Sequence, residues 1–241
     1  MEEKPRILAV NPGSTSTKIS VFDGKKEVWN LKLDHSAREL APYRSIFEQY
    51  DFREKAVLGA LERAGYPIRS FAAVVGRGGL SKPIRGGTYR VTTGLLKDLS
   101  EGAYGEHASN LGAPIAAKLA ESAGCEAFMV DPVVVDELEP PARYTGHPRL
   151  SRRAIFHALN HKAVARKVAE ELGKDYRECN FIVAHLGGGI SVGAHRRGRV
   201  VDVNNALDGD GPFSPERSGG LPADQLATLC FSGEYTHDQV K

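Results

Sequence analysis

Two short apolar runs, Leu8-Ala9-Val10 and Ile19-Ser20-Val21-Phe22, flank a polar bend near the start of this chain. Between them lies Asn11-Pro12-Gly13-Ser14-Thr15-Ser16-Thr17-Lys18. This pattern predicts a β-hairpin whose polar residues lie at the bend. Hydroxyls, backbone N–H groups and one lysine can together reach several oxygens, so the bend suits a polyphosphate, with an ordinary polar hairpin tip as the alternative. It is not a P-loop, because no Gly-Lys-Ser/Thr and no helix start follow.

Charge and cysteine content exclude several classes of protein. The net charge of +2 over 241 residues is too small to favour binding to nucleic acid or to a membrane surface. No apolar stretch approaches the ~20 residues that would span a bilayer, and the charged start does not resemble a secretory signal. Cys125, Cys179 and Cys230 are far apart, which is typical of reduced thiols. We therefore predict a cytoplasmic protein.

The first part of the chain alternates predicted strands with predicted helices. Strands are expected at 27–33, 71–75, 89–93 and 127–132, and helices at 43–64 and 110–122. The stretch from Val133 to Leu150 is rich in Pro, Glu and Arg and predicts a domain boundary. We accordingly predict one domain at 1–148 and a second at 149–241.

The second part repeats the layout of the first hairpin. A helix capped by Ser151 is expected to run to about Leu172. Strands are then expected at 181–186, 192–195 and 200–204, with a glycine turn at the first bend. Since residues 6–33 follow the same strand–turn–strand–turn–strand order, we predict two similar lobes that face one cleft.

Polar residues follow several of the predicted strands at their carboxyl ends, where α/β folds usually bind ligands. They are the bend at 11–18, Arg77 among glycines, Asp131, and the turn Gly187-Gly188-Gly189-Ile190-Ser191. Glycine-rich bends can hold phosphates through their N–H groups, and an Asp at a strand end suits Mg²⁺. Because two such bends occupy matching places in the two predicted lobes, a nucleotide is the favoured ligand.

Histidines and arginines in the second part add further candidates. His157 and His161 are one helical turn apart, a spacing that can bind Zn²⁺, although no neighbouring Glu completes an HExxH motif. A donor to phosphoryl charge and a core histidine are the other interpretations of His157. His185 is expected to be structural or to contact phosphate. Arg217 lies in a Pro- and Gly-rich loop of the kind that presents an arginine to an anion.

These motifs together closely resemble those of the acetate/butyrate kinase family, over nearly the whole chain. Its first phosphate signature is matched by residues 11–18, and its second by His185–Ser191. Its Phe-His-x-x-x-His signature is matched by Phe156-His157-Ala158-Leu159-Asn160-His161. The resemblance implies an α/β, actin-like, duplicated ribonuclease-H-like fold. It also implies reversible, ATP-dependent phosphorylation of a short carboxylate to an acyl phosphate and ADP. A carboxylate needs no general base, so positioning and charge stabilisation suffice.

Roles carry over from the family position by position. The family's loop for phosphate and Mg²⁺ is matched by Asn11, Ser14, Ser16 and Lys18. Its second nucleotide-binding segment is matched by His185, Gly187, Gly188 and Gly189. Arg77 and Arg217 resemble the two cations that hold the carboxylate and neutralise the phosphoryl group during transfer. His157 resembles the residue that donates to the oxygens of that phosphoryl group. Asp131, with Asn11, is expected at the Mg²⁺. Gly79, His107 and Phe156 are expected to contact the carboxylate substrate.

Substrate length and completeness are further expectations. Gly78 and Gly79 follow Arg77, where acetate kinases usually carry bulkier residues, so we expect a pocket for four-carbon acids. Family members continue for roughly a hundred residues more, so we expect a shortened second lobe that exposes apolar surface. The chain alone is expected to bind nucleotide poorly and to be a weak or inactive kinase. A homo-oligomer is expected from the family alone. The rival hypotheses are a metal-dependent transferase using His157 and His161, and a non-catalytic actin-like module that binds nucleotide.

Overall fold

A computed structural model describes residues 4–208 and 210–240. The chain divides into two compact units, the first ending at Asp136 and the second beginning at Glu137. Each unit has its own β-sheet and its own α-helices. The predicted pair of lobes, divided at 148 and facing one cleft, stays a prediction.

The first unit is built on a six-stranded mixed sheet with the strand order β3-β2-β1-β4-β6-β5. Strands β1 and β2 pair antiparallel, as the hairpin prediction required, and β4 lies parallel to both β1 and β6. The strands are β1 (Arg6–Pro12), β2 (Ser16–Asp23), β3 (Lys26–Asp34), β4 (Ala73–Arg77), β5 (Thr88–Arg90) and β6 (Glu126–Val130).

Helices pack on this sheet around one apolar core. Alternate residues of β1 and β2 point into it, among them Leu8, Val10, Ile19 and Val21, all at most 1% exposed. The helices of this unit are α1 (Ala37–Leu40), α2 (Tyr50–Arg63), α3 (Thr93–Ser100) and α4 (Gly112–Ala123). Burial of this core stabilises the hairpin and so fixes the direction in which its bend points.

Helix α2 begins later than the sequence pattern predicts. Its apolar spacing extends back to residue 43, but a 3₁₀ turn at Phe47–Gln49 precedes it. Gln49 accepts hydrogen bonds from the Arg53 side chain at 3.0 and 2.8 Å instead of capping the helix. The start of the helix is therefore set by a buried polar contact that periodicity does not reveal.

The second unit contains an antiparallel sheet with the order β7-β8-β9, as predicted. Its strands are β7 (Asn180–Leu186), β8 (Ile190–Arg196) and β9 (Arg199–Val203), and its helices are α5 (Ala158–Glu171), α6 (Ala223–Cys230) and α7 (His237–Val240). Like β1-β2-β3, this is a three-stranded meander with a polar turn at its first bend. None of the helices in the ranges described is long and apolar enough to cross a membrane.

The predicted cap of α5 is wrong. Ser151 does not begin the helix, which starts at Ala158 with His157 in the N-cap position. Residues before it are held in tertiary contacts: Arg152 donates to the Val203 carbonyl at 3.1 Å, and the Ile155 carbonyl accepts the Ala206 N–H at 2.9 Å. The Arg152 N–H also donates to the Arg143 carbonyl at 3.0 Å, so backbone groups before Ala158 bond outside the helix, and half-buried His157 lies at the N-terminal end of α5.

Candidate functional site

The bend between β1 and β2 is held from beneath by a buried arginine. Arg53 is fully buried, and its guanidinium donates to the carbonyl oxygens of Gly13 at 2.8 Å, Ser14 at 2.9 Å and Ser16 at 3.0 Å. Three carbonyls of the bend are thus turned inward, while Ser14 and Lys18 remain exposed. A bend whose carbonyls point inward has its donors available to an anion. Burial lowers the pKa of Arg53 from its usual value.

Sequence reasoning missed Arg53. An arginine on an amphipathic helix is expected on the solvent side because of its charge. The spacing of α2 nevertheless gave a signal, since Arg53 lies four and eight residues before Val57 and Leu61 on the buried face of the helix. A turn with several inward carbonyls also needs a donor with many N–H groups, and arginine has five. No sequence rule states which arginine supplies them.

Arg77 ends strand β4 beside the strand that carries Asn11. Its Nη1 lies 3.3 Å from Asn11 Oδ1, which brings together two residues that the sequence analysis placed in one site. Burial lowers the pKa of the Arg77 guanidinium from its usual value. A half-buried guanidinium loses part of its hydration and therefore attracts an anion more strongly than an exposed one.

Asp131 directly follows β6 in a conformation that favours glycine. Its φ is 38°, its side chain is 1% exposed, and its Oδ1 accepts the Gly87 N–H at 2.8 Å. Backbone strain of this kind costs about 1–3 kcal/mol and persists where surrounding contacts enforce it. The position at the strand end agrees with the predicted site, whereas its part in holding Mg²⁺ stays a prediction.

The reason given for the glycines after Arg77 is wrong. A Cβ on Gly79 would lie 2.5 Å from Asn110 Cα, and one on Gly78 would lie 2.4 Å from Pro132 Cβ. The space beside both residues is filled by the chain itself, so these glycines permit close packing and do not enlarge a pocket. Nearby, His107 caps a 3₁₀ turn, with Nδ1 accepting the Ser109 N–H at 3.2 Å. Its predicted contact with substrate is not tested.

The glycine turn between β7 and β8 is held by the loop that carries Arg217. The Gly188 carbonyl accepts from Ser214 Oγ at 2.5 Å and from the Glu216 N–H at 3.2 Å. A Cβ on Gly188 would lie 2.6 Å from Glu216 Oε1, so a side chain there would require the exposed Glu216 side chain to move. Arg217 Nη1 donates to the Glu216 carbonyl at 2.8 Å. The turn and Arg217 therefore form one local structure.

His157 lies against His185 of the second signature. The two rings stack with centroids 3.7 Å apart and an interplanar angle of 8°. His157 Nδ1 lies 2.8 Å from Ser191 Oγ, and a Cβ on Gly189 would lie 3.6 Å from His157 Nε2. The histidine of one family signature thus meets both the histidine and the glycine turn of the other. The sequence analysis predicted each of these residues, and the second unit brings them together.

His161 does not form a metal site with His157. Its Nε2 contacts the Ser191 oxygens and its Nδ1 lies 3.3 Å from His195 Nε2, so both ring nitrogens face protein groups. Across the described ranges 4–208 and 210–240, no group of three His, Cys, Asp or Glu side chains is placed to hold a metal ion. The geometry therefore favours the phosphoryl-donor interpretation of His157 over the zinc interpretation.

Phe156 supports this cluster from within the core. Its ring is 2% exposed and packs edge-on against His161 at 5.2 Å between centroids. A side chain with so little accessible surface has almost none to offer a carboxylate. The Phe156 ring packs on His161 in this structure, and its predicted contact with the substrate stays a prediction.

The donor sets of the two turns fit nucleotide phosphates and leave Mg²⁺ few protein ligands. The first turn offers hydroxyls and Lys18 above inward carbonyls, and the second is a turn of small residues beside two histidines and an arginine. Mg²⁺ in such enzymes is held by one or two protein oxygens, with phosphate oxygens and water completing its octahedron. Asn11 and Asp131 carry side-chain oxygens of that kind. Asn11 Oδ1 lies 3.3 Å from Arg77 Nη1, and Asp131 is 1% exposed with Oδ1 accepting the Gly87 N–H, so their part in holding Mg²⁺ stays a prediction.

Comparison with known proteins defines the relationship of the chain. A model of the acetokinase family matches residues 141–219. The chain is 56% identical to "Butyrate kinase 2" of Clostridium acetobutylicum, covering 98% of this chain and 67% of that protein. It is 56% identical to a "Probable butyrate kinase" of Listeria monocytogenes, covering 97% of this chain and 66% of that protein. The chain thus spans about two thirds of the length of the curated relatives that it matches.

Solved structures show the same fold. Acetate kinase of Porphyromonas gingivalis superposes with a TM-score of 0.74 at 18% identity, covering 98% of this chain and 66% of that one. A propionate kinase of Francisella tularensis superposes with a TM-score of 0.71 at 15% identity, over 98% and 66%. The predicted actin-like α/β fold is therefore confirmed.

The chain has a polar turn on each of two antiparallel meanders, within the fold that the solved acetate and propionate kinases share. The sequence identity of 56% to a butyrate kinase and to a probable butyrate kinase assigns the chain to a narrower group than the fold alone does. The chain belongs to the acetokinase family, on the branch that contains the butyrate kinases.

Proposed function

We propose that this chain catalyses reversible transfer of the γ-phosphoryl group of ATP to a short-chain carboxylate, giving an acyl phosphate and ADP. The observation that carries the proposal is the 56% identity to butyrate kinase over nearly the whole chain. The two turns, Arg77, Arg217 and His157 support it, because their chemistry suits a reaction that needs charge stabilisation and no base.

In the proposed reaction a carboxylate oxygen attacks the γ-phosphorus in line. The new bond joins that oxygen to phosphorus, and the bond between phosphorus and the β,γ-bridging oxygen breaks, leaving ADP with the electron pair. Arg77 and Arg217 would neutralise the carboxylate and the phosphoryl oxygens, and His157 would donate to an equatorial oxygen. Lys18, Ser14 and Ser16 would bind phosphate from the first turn, and Gly187, Gly188 and Gly189 from the second. Mg²⁺, held near Asn11 and Asp131, would offset the charge of the phosphates.

Four-carbon acids are the proposed substrates, on the evidence of the relatives alone. Since Gly78 and Gly79 pack against the chain itself, they no longer argue for a longer pocket. One methylene in an apolar pocket discriminates by roughly 10–200-fold at most. Activity with propionate and isobutyrate is therefore expected beside butyrate. A cytoplasmic location and a homo-oligomer are part of the same proposal.

The test traps acyl phosphate as the hydroxamate from ATP, Mg²⁺ and a panel of acetate, propionate, butyrate and isobutyrate. The butyrate kinase of Clostridium acetobutylicum is the positive control. We also test a chimera in which the last third of that enzyme follows residue 241 of this chain. Product from the chain or from the chimera, greatest with four-carbon acids, is expected. A folded chimera that binds ATP but gives no product with any acid would overturn the proposal.

A matched pair of variants tests the assignment of Arg217. Arg217→Ala should lower kcat by ~100-fold or more, because a cation that meets transition-state charge is removed. Arg149→Ala removes an exposed arginine of the same unit and should leave kcat unchanged. Equal effects from the two substitutions would contradict a role for Arg217 in the reaction.

A further inference from the structure

A continuous line of buried hydrogen bonds leads away from His157 into the second unit. Ser191 Oγ lies 2.8 Å from His157 Nδ1 and 2.9 Å from His161 Nε2. His161 Nδ1 lies 3.3 Å from His195 Nε2, and His195 Nδ1 lies 2.6 Å from the Tyr176 hydroxyl. Ser191, His161 and His195 are at most 2% exposed, and Tyr176 is 7% exposed. These four residues form one buried line of hydrogen-bonded side chains.

The local structure explains how these side chains meet. His157 and His161 are four residues apart at the start of α5, and Ser191 and His195 are four residues apart on one face of β8. Gly193 lies between them on the same face, where a Cβ would come within 3.2 Å of His161 Nδ1. A face of the helix therefore packs on a face of the strand, and the glycine leaves room for the ring.

One contact sets the direction of the hydrogen bonds from His161 to Tyr176. His161 Nε2 lies 3.2 Å from the Ser191 carbonyl oxygen as well as 2.9 Å from Ser191 Oγ. A carbonyl oxygen only accepts, so Nε2 carries the hydrogen of His161. In a neutral imidazole the other nitrogen then accepts, and the atom facing it, His195 Nε2, must donate.

The direction of the bond to Tyr176 follows from the same rule. With its hydrogen on Nε2, neutral His195 accepts at Nδ1, and the Tyr176 hydroxyl donates to it. At the other end, Ser191 Oγ accepts the His161 N–H. A hydroxyl has a second lone pair as well as one hydrogen, so the geometry of its 2.8 Å contact with His157 Nδ1 allows either direction, and we assign the Ser191 hydrogen to this contact. Nδ1 of His157 is then an acceptor, and the hydrogen of a neutral His157 is on Nε2.

The buried rings are neutral near physiological pH, which this argument requires. Burial, with a contribution from His195, lowers the pKa of His161 to about 4. Burial, with the positive charge of Lys162, lowers the pKa of His195 to about 4, against an opposing effect of Glu137. Neither ring therefore donates from both nitrogens at neutral pH.

We propose that Ser191, His161, His195 and Tyr176 are positioning residues that hold His157 in the Nε2–H tautomer, so that it presents a donor and not a lone pair to the phosphoryl group. The tautomer of His157 is inferred from the hydrogen-bond geometry. Its benefit to phosphoryl transfer rests on the proposed function. The other tautomer would set a nitrogen lone pair against phosphate oxygens, which repels them. Tautomer control thus belongs to residues that do not touch the substrate.

The direct test is ¹⁵N NMR of the imidazoles, using long-range ¹H–¹⁵N correlations that distinguish the two neutral tautomers. His157→Gln identifies the signals of His157 among the eight histidines. We expect wild-type His157 in the Nε2–H form at neutral pH. Observation of the Nδ1–H form, or of an even mixture, would overturn the proposal whether or not the chain has kinase activity.

Variants separate positioning from packing. Ser191→Ala should give His157 a mixture of tautomers, and Ser191→Thr, which keeps the hydroxyl, should restore the wild-type spectrum. Threonine occupies the matching place on β2, where Thr17 is fully buried and lies 2.8 Å from His35 Nε2. Tyr176→Phe keeps the ring and removes only the terminal donor, with Tyr66→Phe in the first unit as its control. An unchanged His157 spectrum in both Ser191→Ala and Tyr176→Phe would contradict the proposal.

Kinetics give a second readout that mere packing would not produce. In a form that shows kinase activity, Ser191→Ala should lower kcat by up to ~100-fold while the KM for the carboxylate changes little, because only a transition-state donor is lost. Ser191→Thr should recover most of that loss. A failure of the proposed function removes this readout but leaves the spectra to decide the hydrogen-bond directions.

Discussion

Arg53 Nη2 donates to the carbonyl oxygen of Ser14 at 2.9 Å, 39 residues away in the chain. With the bonds to Gly13 and Ser16, this contact makes a helix arginine part of the first turn. Buried guanidinium groups usually face a carboxylate, but the side-chain bonds described for Arg53 lead to Gln49 and Thr17. Its charge therefore adds to the positive potential beneath a turn that we propose binds phosphate.

Arg53→Lys should destabilise the first unit and weaken nucleotide binding. Lysine keeps the charge but cannot reach three carbonyls and Gln49 at once, so buried oxygens are left without donors at about 1–3 kcal/mol each. Urea unfolding and nucleotide titration measure the two effects. Arg63→Lys, at the exposed end of the same helix, is the control and should change neither. Wild-type stability in Arg53→Lys would show that the turn does not depend on the guanidinium.

The sequence predicted the strands of both meanders because their apolar alternation and polar turns are local signals. The helical spacing placed Arg53 on the face of Val57 and Leu61, but it could not reveal the partners of Arg53, which lie in a turn on another element. The His157 cluster was partly visible: the i, i+4 spacing of His157 and His161 indicated a shared helix face. The sequence analysis placed Ser191 in the glycine turn, whereas the structure places it on β8, on the same face as His195. What periodicity could not supply was that these two faces pack together.

Gly79→Ala should lower the free energy of unfolding by about 1–3 kcal/mol, in the range of an overpacked core. The new Cβ would lie 2.5 Å from Asn110 Cα, and main-chain atoms cannot move aside cheaply. Gly146→Ala is the matched control, because nothing lies within 4 Å of a Cβ there. Denaturant unfolding compares the two. A stable Gly79→Ala variant with altered acid preference would instead restore the pocket-wall interpretation.

Stability should fall as the pH is lowered from about 6.5 towards 4. His161 and His195 have pKa values of about 4 in the folded chain, below the ordinary 6.5, so the unfolded chain takes up protons first in this range. Their contribution is fully present above pH 6.5 and is lost as the pH falls to the folded pKa. The lowered pKa of His35 acts in the same direction in the first unit.

Urea midpoints measured between pH 7.5 and 4 test this dependence. His195→Gln removes one of the two titrating groups and leaves an amide that can still donate to His161. The variant should lose less stability than wild type over the same interval. An identical slope in wild type and variant would show that His195 is protonated equally in the folded and unfolded chain.

A buried ion pair anchors helix α5 beside the His157 cluster. Lys162 Nζ lies 2.9 Å from Glu137 Oε2, with both side chains less than 10% exposed, and the same oxygen accepts the Val200 N–H at 2.8 Å. Lys162→Met removes the buried ammonium from this carboxylate, and breaking a buried pair at one partner typically costs about 3–5 kcal/mol. The double variant Lys162→Met/Glu137→Gln removes both charges and should recover much of the loss. Lys118→Met breaks an exposed pair with Glu121 and should change the free energy of unfolding very little. If the double variant were no more stable than Lys162→Met, the loss would come from the lysine's packing and not from the broken ion pair.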